Sequence, residues 1–86
     1  SEFNPHLVGP TLKNKVTFGK DLDHGTFMAK YSSKYTANKN HSKANLLHWL
    51  TVYDQLHLLN NIKKKNYDDV ADAFLQIVGW LDFGRQ

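Results

Sequence analysis

The sequence predicts an all-α fold: a small three-helix bundle with an extended N-terminal arm and a C-terminal αα-hairpin. Three observations carry that expectation. Residues 42–65 hold Leu46, Leu47, Trp49, Leu50, Val52, Tyr53, Leu56, Leu58, Leu59 and Ile62 with no Pro or Gly between them, too long a run for a strand of ordinary length. Residues 67–81 repeat apolar side chains at helical spacing, through Tyr67, Val70, Phe74, Ile77, Val78 and Leu81. Both prolines and two of the five glycines fall within residues 4–20, which sets that stretch apart as non-helical.

In chain order, Ser1-Glu2-Phe3 reads as a cloning scar and is left out of the fold reading. Residues 4–20 form the arm. Its one alternating stretch, Val16-Thr17-Phe18, is too short to be a strand without a partner, so the arm is expected to lie on the helices. Leu7, Val8, Leu12, Val16 and Phe18 are its candidate anchors. Residues 21–86 are read as a single helical domain. A first helix is expected within residues 21–39, capped by Asp23 or Thr26, with Phe27, Met28, Tyr31 and Tyr35 on one face. Its Ser, Thr and Asn content makes it a weak helix former, dependent on packing. Asn38-Lys39-Asn40-His41 reads as a polar connection, and Ser42, or else Asn40, as the cap of the long helix.

On a helical wheel the long helix divides its apolar residues. Leu46, Trp49, Leu50, Val52, Tyr53, Leu56 and Leu59 make a broad face, and Leu47, Leu58 and Ile62 a second ridge. Lys63, Lys64 and Lys65 fall in its last turn, favourably placed in the helix dipole. Asn66 is the expected cap of the last helix, with Asp68 and Asp69 in its first turn. Asp68, Asp69, Asp72, Gln76 and Gly79 are expected on its open face, and Gly79 weakens its last turn. A turn as short as Lys65-Asn66 implies an antiparallel hairpin.

Composition narrows the function classes. At 86 residues the chain makes one domain, with a core but no room for a deep substrate cavity. It has no cysteine, hence no disulfide framework and no thiolate metal site, and an intracellular location, cytoplasmic or nuclear, is the expectation. No apolar run approaches the roughly 20 residues a bilayer requires, so no membrane span is expected. The chain stops soon after its last apolar run, as a fragment of a larger protein would. Net charge is +3, but ten of the eleven basic residues are Lys. Recognition of phosphate and guanine favours the Arg fork, so the basic balance supports nucleic-acid binding only weakly.

The chemistry-bearing residues resist assembly into a catalytic site. His41, His48 and His57 are spaced by seven and nine residues, whereas paired helix ligands stand three or four apart. No metal and no cofactor is expected. Ser42, His48 and Asp54 could be drawn as a relay, but no strand-to-helix elbow exposes the serine, and the protein is expected not to be an enzyme. Asp21-Leu22-Asp23-His24-Gly25 resembles the start of a calcium loop only loosely, because its Gly is fifth and Ser32 stands where the bidentate Glu belongs. A helix-start turn explains it better. The Lys63–Lys65 run needs no ligand as a helix end.

The apolar surface looks larger than three helices and an arm can cover. Leu47, Leu58, Ile62, Leu75, Trp80 and Phe83 are the expected surplus. They point to a protein-interaction or oligomerisation domain whose partner is another protein or a second copy of the chain. No small-molecule substrate is expected. The alternative is a nucleic-acid-binding module using Lys30, Lys34, Lys63, Lys64 and Lys65. The aspartates on the last helix argue against that helix as a DNA reader.

Overall fold

A computed structural model describes residues 10–84, with side chains from residue 12. The described residues contain helices and turns and no strand, so the all-α expectation holds. A single helical turn, α1 (Pro10–Lys13), precedes three longer helices: α2 (His24–Lys30), α3 (Lys34–Val52) and α4 (Tyr67–Gly79). The scar and the anchors Leu7 and Val8 lie outside the described residues. Pro10 opens α1, the one helical position where its missing N–H costs nothing. Beyond α1 the chain is non-helical from residue 16 to 18, and Val16 is buried. We call residues 16–22 the strap. It ends in a turn closed by the Leu22 N–H on the Gly19 carbonyl, with Asp21 in the left-handed region at φ 61°.

The helix boundaries differ from those the sequence predicts. The expected first helix is split. Asp23 does cap α2, one carboxylate oxygen accepting from the Thr26 N–H and the other from its hydroxyl. But α2 ends at Lys30, where Tyr31 turns extended. Ser33 then caps α3 through the Thr36 N–H, so the long helix starts eight residues before Ser42 and absorbs the expected polar connection. Phe27 and Tyr35 consequently do not share a helix face: Phe27 is buried and Tyr35 is exposed.

The long helix also stops early. Asp54 takes φ 55°, the Gln55 N–H returns to the Leu50 carbonyl at 2.7 Å, and the Asp54 N–H returns to Thr51 at 3.2 Å. These two bonds define a Schellman stop with aspartate in the left-handed position usually held by glycine. Residues 53–66 then form two short 3-10 turns, Leu56–Leu59 and Lys64–Asn66. The Leu47, Leu58 and Ile62 ridge therefore does not exist as one helix face. Leu58 and Ile62 lie beyond the stop, His57 sits exposed on the first of these turns, and Lys63–Lys65 do not end a helix.

α4 packs on α3, though not through a two-residue turn. Lys39 and Lys43 of α3 meet Asp68, and Trp49 meets Phe74. The contacts ascend on both helices, where an antiparallel pair would have them descend. Their shared core is Leu46, Leu50, Leu59 and Ala71, flanked by Leu47, Trp49, Ile62, Tyr67, Val70 and Phe74. The fully buried positions of α4 are Ala71, Leu75 and Gly79, about one residue step around from the expected face. The cause is α1, which covers the other side of α4. Lys13 pairs with Asp72, and a Cβ on Gly79 would stand 2.6 Å from the Leu12 carbonyl oxygen. Gly79 is thus the notch that lets α1 approach, not a weak point on an open face. Past it the chain widens into a π-helical end, Trp80–Gly84.

Candidate interaction surface

The six side chains expected as an apolar surplus separate in space. Leu75 is completely buried, and Leu47 and Ile62 pack against the α3/α4 core. Trp80 is half-buried. Phe83 is at the margin of exposure and carries the Lys15 ammonium 5.7 Å from its ring centre. Only Leu58 stands well clear, at 56% exposure. Three other apolar residues join it instead: Val52 at 61%, Tyr53 at 59% and Leu56 at 46%. They surround the Schellman stop. The helix stops at Asp54 and these residues stay exposed around its end, a stretch we call the knuckle.

Beside the knuckle lies a shallow hollow of about 150 Å³, lined by Phe18, His48, Trp49, Val52 and Tyr53. Aromatic rings run across the domain at this level. Tyr53 lies 4.8 Å from Trp49, Trp49 lies 5.3 Å from Phe74, and Phe74 lies 6.1 Å from Phe18. Gly19 makes room for the His48 ring, since a Cβ there would fall 2.8 Å from the His48 Cε1. The sequence offered one sign of the knuckle: Asp54, after Asn and Gly among the residues best tolerated at positive φ.

A second, polar groove of about 440 Å³ lies between Tyr35, Asn38 and Lys39 on one side and Lys65, Asp68, Asp69 and Asp72 on the other. Its charges are largely internally paired. The Lys39 ammonium is 2.8 Å from Asp68 and Lys43 is 3.6 Å away. The hydrogen bond from Lys39 holds the Asp68 carboxyl below its usual range, and the same bond raises the Lys39 ammonium. Lys30, Lys34, Lys63, Lys64 and Lys65 are all exposed, and Lys65 opens onto the three aspartates.

The remaining chemistry is inside. His41, Ser42 and Asn45 are buried around the middle of α3. The His41 Nε2–H donates to the Val16 carbonyl at 2.9 Å. A carbonyl can only accept, so Nε2 carries the proton and Nδ1 is bare. Nδ1 is buried with no hydrogen-bond partner. The rings of His24 and Phe27 meet His41 edge-on at 5.3 and 5.8 Å, and the His24 Nε2 bonds the Asn38 side-chain oxygen. Desolvation pushes the His41 imidazolium below its ordinary range, against a smaller opposing effect of the Val16 carbonyl. Asn45 accepts from the Phe18 N–H and donates to the Leu22 and His41 carbonyls, at 2.8, 2.8 and 2.9 Å. Nothing in the apolar pattern marks these residues. Their only sequence signal is the four-residue spacing of His41 and Asn45 in a stretch with few large apolar side chains.

The Ser42 hydroxyl is buried and bonds to nothing, so it forms no relay with His48 and Asp54. Asp21 and Asp23 are spent on a turn and a helix cap, as a helix-start turn over residues 21–25 requires. Among the described residues no three His, Asp or Glu side chains group as metal ligands, and no helix is long and apolar enough to cross a membrane. No protein family, curated protein or solved structure matches the chain.

Proposed function

We propose that the domain is a non-enzymatic protein-interaction module that docks another protein, or a second copy of itself, on the knuckle formed by Val52, Tyr53, Leu56 and Leu58. One observation carries this reading: four large apolar side chains within seven residues stay between 46% and 61% exposed. Single exposed apolar residues are ordinary, but four within one short segment beside a shallow hollow fit the usual form of a partner site. Tyr53 and Trp49 supply the rigid aromatic surface that dominates such interfaces. The competing nucleic-acid reading rests on exposed Lys30, Lys34 and Lys63–Lys65 alone. Asp68, Asp69 and Asp72 beside Lys65 count against it, since they repel a phosphate backbone.

Leu58→Asp separates the two. It removes apolar area from the knuckle and leaves every lysine in place. Sedimentation velocity across micromolar concentrations should show association in the parent protein, alone or with a partner supplied, that is lost in Leu58→Asp while the helical circular dichroism is unchanged. Association that persists in the variant overturns the knuckle. Binding to duplex or single-stranded nucleic acid that weakens steeply with salt, in parent and variant alike, favours the lysine reading.

A further inference from the structure

We propose that His41 and Asn45 form an acid-released latch on the strap: protonating His41 at Nδ1 frees residues 16–22 and lifts Phe18 from Phe74, while the C-terminal half of α3 stays folded. The proposal does not depend on what the knuckle binds.

The geometry makes the latch specific. Three hydrogen bonds tie the strap to α3, at Val16, Phe18 and Leu22, and all three end on His41 or Asn45. Both side chains are fully buried, and Asn45 also bonds the His41 carbonyl, so the pair moves together. The strap's other backbone bonds are the Val16 N–H on the Lys13 carbonyl of α1, at its very start, and its own turn, Leu22 to Gly19. Without His41 and Asn45 nothing but side-chain packing holds it to α3, chiefly Val16 in the core, with Phe18 on Phe74 of α4 and the Val16 N–H still on α1.

A second proton on His41 has nowhere to go. Nδ1 faces no acceptor, so a new N–H there is buried and unsatisfied along with its charge. The charged and titratable groups around it oppose one another. From α2, His24 stands edge-on and Asp23 attracts a positive charge. From α1, Lys13 repels it, with its ion pair to Asp72 of α4 behind it. On α3 itself Asn38, Ser42 and Asn45 offer no charge. Burial outweighs Asp23, and it pushes the imidazolium down. The proton is therefore bound when the ring reaches water, and the ring reaches water by releasing Val16. The aromatic row from Phe18 through Phe74 and Trp49 to Tyr53 then loses its first ring, and the hollow beside the knuckle loses one wall.

Amide hydrogen exchange reads the latch directly, because the Phe18 N–H is protected by Asn45. Exchange is followed on the whole chain from pH 7.5 to pH 5, corrected for its intrinsic pH dependence, with the Leu50 amide inside α3 as the reference. Opening at Phe18 should rise below about pH 6.5, approaching tenfold per pH unit for one proton, while Leu50 stays protected. His41→Gln keeps a donor for the Val16 carbonyl but cannot charge, and should flatten the Phe18 profile; His24→Gln should retain the step. Protection at Phe18 that is flat to pH 5 overturns the proposal. So does a parallel loss at Leu50, which is global acid unfolding. A step that survives His41→Gln, or disappears in His24→Gln, moves the proton elsewhere and overturns it too. Should His41→Gln fail to fold, the two amides of the parent protein still decide.

Discussion

The two halves of α3 bury opposite kinds of surface. The C-terminal half puts Leu46 and Leu50 into the apolar core shared with Leu59 and Ala71. The stretch before Leu46 puts Ala37, His41, Ser42 and Asn45 inside and uses two of them to hold a strap by hydrogen bonds. Apolar packing is non-directional and indifferent to protonation. A buried hydrogen-bonded pair contributes little net when satisfied and costs much when one member is lost. One helix thus joins an unconditional core to a conditional one.

The sharpest way to break this contrast is from the apolar side. Leu50→Ala should cost about 2–5 kcal/mol of unfolding free energy in urea titration, from lost transfer and the cavity left behind, and the loss should be the same at pH 7.5 and pH 5.5. A loss that changes with pH would mean the halves are not separate. Asn45→Ala comes next, at about 1–3 kcal/mol, because it strands the half-buried Phe18 N–H and Leu22 carbonyl. Its cost should shrink at low pH, where the latch is already weakened in the parent protein. Equal costs at both pH values would leave the polar half no more conditional than the apolar one.

Acid sharpens the comparison further by separating two windows. His41 is depressed in the folded state, so its contribution is complete above the unfolded imidazole value near 6.5 and is lost as pH falls below it toward the folded value. Asp68 is depressed as well, but as a carboxylate. Its contribution is complete above about pH 4 and is lost below that, as pH falls through its folded value. Melting temperature followed down the pH scale should fall in two separate steps, and the upper one should vanish in His41→Gln. A single step confined to the carboxylate range would remove histidine from the account.

The same contrast explains which parts of the fold were legible. Fold class and α4 follow from apolar periodicity, and Asp23 from capping chemistry, because each signal is local and strong. The ends of α3 were not. Its start lies among residues with little apolar pattern, since that half buries polar side chains. Its stop depends on Asp54 at positive φ, a conformation that Asp tolerates but does not announce. A helix continued past Asp54 would put Leu58 and Ile62 on a ridge with Leu47. It would also carry Val52, Tyr53 and Leu56 on its broad apolar face, where the real stop leaves them exposed. Leu75 is illegible for a different reason: nothing in its own helix reveals that α1 covers the other side of α4.

The approach of Leu12 to Gly79 has a topological consequence. Together with the Lys13–Asp72 pair, whose members are 59 positions apart, it brings the two ends of the described chain against each other. The backbone is close to a ring, clasped at one point. Closing so large a loop costs more chain entropy than a local contact, so the clasp is expected to form late in folding and open early in unfolding. Gly79→Ala, which forces α1 outward, should therefore speed unfolding in stopped-flow experiments and leave the folding rate nearly unchanged. Joining the ring at the clasp and reopening it in the exposed run Lys63–Lys65 should give a circular permutant that keeps both halves of α3 intact.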